Sequence, residues 1–158
     1  MTALSETANP VNEEAVGFSY GLIPVHGYGI AEATVTWLLD DGSGGTRARV
    51  LRPGESLPMG AQPVLLADTT VYGATGVENM LLRWGPLPRP WLVLVADAPV
   101  RPVADARYLV RALENRLAGV ATMPYLPVLR TVKGPAEAAE FKDVQAAGRK
   151  LRRAMEGN

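Results

Sequence analysis

Two apolar runs stand out along the chain, Pro63-Val64-Leu65-Leu66-Ala67 and Trp91-Leu92-Val93-Leu94-Val95. Neither contains a polar break, which suits strands covered on both faces rather than strands with one face in water. Asp68-Thr69-Thr70 stops the first run, and Asp97 with Pro99 stops the second. Gly21-Leu22-Ile23-Pro24-Val25 reads as an earlier strand that ends in the turn His26-Gly27-Tyr28-Gly29. Arg47 through Arg52 and Val120 through Met123 read as two further short strands.

Helical spacing separates these strands. Ile30, Ala33, Thr34, Trp37 and Leu38 fall on one face of a helix, which the turn residues Asp40-Asp41-Gly42-Ser43-Gly44-Gly45 end. A second helix follows Gly73 with Val77, Met80, Leu81 and Trp84 on its stripe, and prolines 86, 88 and 90 break it. A third carries Ala106, Leu109, Val110, Leu113 and Leu117, with Gly119 placed to cap it. Pro135 suits the first turn of a last helix with Phe141, Val144, Leu151 and Met155 along its apolar side. Residues 53–62 read as a loop.

Strand and helix in alternation predict a three-layer α/β fold, a mostly parallel sheet with helices on both faces. The expected organisation is a flexible acidic tail over residues 1–17, an α/β domain over 18–133, and an amphipathic C-terminal helix with a basic end over 134–158.

Composition narrows the chemistry. The 158 residues contain no cysteine and one histidine, His26. Disulfides, thiolate metal sites and cysteine nucleophiles are thereby excluded, as is a histidine-rich metal centre. The formal net charge is zero, so no overall field draws the chain to nucleic acid or an anionic membrane. The polar N-terminal stretch lacks a signal-peptide pattern, and no apolar run approaches the ~20 residues of a membrane helix. A cytoplasmic protein is the expectation.

The first turn, with Gly27 and Gly29 between a strand and a helix, is where α/β proteins bring backbone N–H groups to a phosphate. A phosphate loop also needs a lysine before Ser or Thr, and the first lysine of this chain is Lys133. The third glycine of a dinucleotide fingerprint is missing too, and Glu32 brings negative charge to the turn. Read structurally, the two glycines supply backbone angles that a tight turn requires.

The strand, glycine turn and helix at the start, the strand end at residues 64–70 leading into Gly76-Val77-Glu78, and Leu92-Val93-Leu94-Val95-Ala96-Asp97-Ala98-Pro99 resemble P-loop ATPases of the ParA/MinD type. More closely, they are similar to small proteins of conjugative and mobile elements in GC-rich bacteria, which keep that fold with an eroded phosphate loop. The resemblance implies a P-loop NTPase-like fold. In an intact loop it implies nucleotide phosphates at Gly27, Gly29 and Thr34, with Asp97 and Pro99 near the base; with the loop eroded the cofactor stays open, ATP with Mg being possible but not favoured. Because the lysine is absent, it implies a non-catalytic interaction or accessory protein in conjugation or DNA transfer. An ATPase with an unusual loop, completed by a basic residue of another subunit, is the alternative.

Other candidates come from the residues alone. Asp68 and Asp97 both end buried strands, where carboxylates bind a metal, do acid–base work, or cap the next turn; Asp68 is the metal candidate. His26 is a general-base candidate by its intrinsic pKa, or a structural histidine beside a turn. From Arg130 onward seven basic residues face four acidic ones. Within that segment Arg149, Lys150, Arg152 and Arg153 form a surface for a protein partner, self-association or nucleic acid, or else a solvated helix end.

Overall fold

The computed structural model describes residues 17–157; the expected acidic tail lies outside them except for Gly17. Five strands, β1 (Tyr20–Pro24), β2 (Ala48–Val50), β3 (Gln62–Asp68), β4 (Trp91–Val95) and β5 (Gly119–Met123), form one sheet in the order β2-β1-β3-β4-β5. All pairings are parallel. The helices are α1 (Ile30–Asp40), α2 (Val71–Leu82), α3 (Ala104–Leu113), α4 (Pro135–Ala138) and α5 (Lys142–Glu156).

The middle strand is β3, with the Trp91 strand β4 beside it. Its residues divide strictly by parity. Val64 and Leu66 join Leu22, Val35, Leu39, Val144 and Leu151 in the core beneath α1 and α5. Leu65 and Ala67 join Val77, Leu81, Val110 and Leu113 beneath α2 and α3. Both faces are therefore dry, and an unbroken apolar run is what such a strand requires. Each fully buried Leu or Val here contributes about 1.5–3 kcal/mol of transfer free energy. Helices on both faces of a parallel sheet make the expected three-layer α/β architecture. The connection from β2 to β3 carries no helix.

Several boundaries differ from the sequence expectation, each for a local reason. Helix α2 begins at Val71, ahead of Gly73, because the Thr70 hydroxyl accepts the Gly73 N–H and caps it. Trp84 lies past its end, where the indole N–H donates to the Pro88 carbonyl at 2.8 Å. Helix α3 gives way to a 3-10 turn, Glu114–Arg116. Gly119 does not cap it; the residue opens β5 directly opposite Trp91. A Cβ at Gly119 would stand 2.4 Å from the indole ring, so close ring contact is what the glycine serves. The last helical region is two helices rather than one: Pro135 opens the four-residue α4, and Phe141 sits at the N-cap of α5.

Helix α5 packs on α1 through Val144, Ala147 and Leu151. The Arg152 guanidinium donates to the Leu38 carbonyl at 2.9 Å, satisfying one of the carbonyls that the end of α1 leaves open. Tyr20 donates its hydroxyl to Glu156. Burial of the phenol, reinforced by the Glu156 carboxylate, pushes the Tyr20 pKa up to about 12. These contacts put the basic end of α5 at the amino edge of the sheet, where β1 begins.

Candidate functional site at the carboxyl edge

In an open parallel sheet, ligands bind beyond the carboxyl ends of the strands where the strand order reverses. Here the reversal falls between β1 and β3, because β2 lies on one side of β1 and β3 on the other. Three turns meet there, those after β1, β3 and β4.

The turn after β3 is built by its own polar residues. Asp68 Oδ1 accepts the Thr70 N–H at 3.1 Å and also the Thr70 hydroxyl, an Asx-type turn closed by a short side chain. Thr70 in turn caps α2. Gly73 lies so near that an added Cβ would fall 2.3 Å from Asp68 Oδ1 and 2.7 Å from the Asp68 carbonyl. Side-chain bonds then tie the neighbouring turns to this one. The Asp68 N–H donates to His26 Nε2 at 3.1 Å, and the Thr69 hydroxyl donates to Asp97 Oδ1 at 2.6 Å. The Asp68 carboxylate stands 3.6 Å from His26 Nε2, and the Tyr72 ring lies 5.8 Å from the imidazole, tilted by 58°.

This arrangement defines what His26 does in its neutral form. Nε2 accepts an amide hydrogen, so Nδ1 carries the ring proton. The lone pair that a general base would use is committed to holding β3's turn. His26 has a partner after all, 42 positions away in the chain.

The glycine turn after β1 has a different character. Gly27 and Gly29 are exposed, and neither adopts a left-handed φ. An added Cβ meets nothing within 4 Å at Gly27, and only Glu32 Oε1, at 3.5 Å, at Gly29. The expected conformational demand for glycine is absent at both. At the start of α1, Gly29 N–H donates to Glu32 Oε1 at 2.8 Å. A carboxylate of the chain itself thus takes one of the open N–H groups at this helix end. Thr34 is fully buried, and its hydroxyl donates to the Ile30 carbonyl at 2.7 Å within α1.

The structure thus links the candidates His26, Asp68 and Asp97 with Thr69 through side-chain bonds; Gly27, Gly29 and Pro99 lie in turns of the same edge outside those bonds. Pro99 lies exposed in the β4–α3 turn. Asp97 does not cap α3, which begins at Ala104 behind the N-cap Val103. Asp68 serves the turn, and among the described residues no group of three His, Asp or Glu side chains could hold a metal ion. Arg149, Lys150 and Arg153 are exposed and Arg152 is half-buried, all on α5, whose basic end lies at the opposite edge of the sheet. The bonds from His26 and Thr69 were not legible in the sequence. Their signal was present as polar residues at three strand ends, although only the strand order says which of them meet.

Among the described residues no helix is long and apolar enough to cross a membrane. Compared with known proteins, the chain matches no family model, and no curated protein or solved structure matches it significantly.

Proposed function

We propose that the protein is a non-catalytic, P-loop-like interaction protein that keeps a nucleotide-binding architecture without nucleotide turnover, with service in conjugation or DNA transfer as its setting. One observation carries the proposal: the Glu32 carboxylate accepts the Gly29 N–H at the start of α1, where an intact phosphate loop receives its anion. A phosphate entering there meets a like charge, with no loop lysine to offset it. Arg149, Lys150 and Arg153 supply the exposed charge for a partner, a second copy of the chain or nucleic acid.

A nucleotide-binding ATPase stands second, favoured by the open space above Gly27, where a phosphate could approach the backbone closely. Thermal denaturation with ATP, ADP or GTP plus magnesium, combined with a phosphate-release assay, separates the two. The proposal expects an unchanged midpoint and no release above buffer. A midpoint that rises with nucleotide concentration, as binding to the native state requires, or release abolished by Gly27→Val, would sink it.

A further inference from the structure

A cavity of about 220 Å³ opens at the carboxyl edge of the sheet on the face that α2 and α3 cover. Leu94 and Val110 give it an apolar lining. Thr122, paired with Leu94 across β4 and β5, brings a hydroxyl to it. Arg107 and Arg111 stand one turn apart on α3, and both line the cavity. Arg107 is half-buried, and one of its donors is spent on the Pro102 carbonyl at 2.6 Å. That bond fixes the guanidinium plane and leaves most of its five N–H donors over. Among the described residues no side-chain hydrogen bond or ion pair engages Arg111 or the Thr122 hydroxyl. Two carboxylates also line the space. Asp68 accepts both Thr70 bonds through Oδ1, and Glu114 is exposed at the end of α3.

We infer that this cavity binds a small organic carboxylate, its head group held by Arg107 and Arg111 and its short apolar body laid against Leu94 and Val110. Guanidinium forks match a planar carboxylate in two parallel hydrogen bonds. The cavity is smaller than the ~300 Å³ at which pockets for drug-sized ligands begin, which suits an acid of a few carbons. The site is separate from the glycine turn, because neither Gly27 nor Gly29 lines it.

The experiment is titration of the isotope-labelled protein with 3-methylbutanoate, followed by backbone amide shifts. Saturable shifts confined to α3, residues 69–70 and Thr122, with a dissociation constant in the millimolar range, are expected. Arg111→Gln weakens binding by about tenfold while its exposed position leaves folding intact, and Arg107→Gln does the same. The neutral amide, 3-methylbutanamide, produces no saturable shift. Absence of saturation with the acid, equal binding of acid and amide, or unchanged affinity in a folded Arg111→Gln protein would each overturn the assignment.

Discussion

At the scale of single residues, the carboxyl edge depends on short polar side chains and one close glycine. Gly73→Ala puts a Cβ 2.3 Å from Asp68 Oδ1 and 2.7 Å from its carbonyl. The backbone oxygen cannot swing away as a flexible side chain does, so a loss of about 1–3 kcal/mol is expected in urea denaturation. Gly27→Ala, with open space and an ordinary φ, is expected to stay within ~0.5 kcal/mol of the parent. Asp40 supports a second prediction. Burial raises its pKa, but the Ser43 hydroxyl and the N–H groups of Gly45, Ala48 and Arg47 together lower it further. A depressed folded pKa means stability that is present above the unfolded value of about 4 and lost as pH falls through the folded one. The stability gap between the parent and Asp40→Asn should therefore be full at pH 7 and shrink below about pH 4. A gap that is constant across that range would show that the charge of Asp40 does not matter.

At the scale of elements, the Trp91–Gly119 contact joins β4 to the edge strand β5. Gly119→Ala is expected to cost about 1–3 kcal/mol through overpacking against the indole. The same substitution in a Trp91→Leu background should cost clearly less, a coupling that a double-mutant cycle reads directly. These elements also show which parts of the fold the sequence disclosed. Strands β3 and β4 were legible because continuous apolar runs follow from burial on both faces. Helix α1 was legible because its stripe and its turn signals agreed. Gly119 was misplaced because a neighbour distant in sequence defines it; Pro135 does open a helix, but that helix stops after one turn and a second begins at Lys142. A glycine required by an indole ring 28 positions earlier looks, in one dimension, like a cap. The short helix opened by Pro135 and the restart at Phe141 left an apolar spacing close to that of one continuous helix.

At the scale of the whole molecule, the order β2-β1-β3-β4-β5 creates the reversal at which His26 meets Asp68. Pattern alone disclosed the alternation and hence the layers. It could not disclose the strand order, and so it could not tell that His26 has a partner or that Thr69 reaches Asp97. A ParA/MinD-type phosphate loop would need Gly27, Gly29 and Thr34 free to receive a nucleotide. In the folded chain Thr34 is buried in its own helix, and Gly29 is already bonded to Glu32. On the proposed function, this helix end serves the chain itself and takes no nucleotide. Calorimetric titration of ATP with magnesium into the purified protein tests it most directly. The account predicts no saturable heat up to about 1 mM, a concentration that reveals binding worth ~4 kcal/mol. Saturable heat with a micromolar dissociation constant, lost in Gly27→Val, would contradict it.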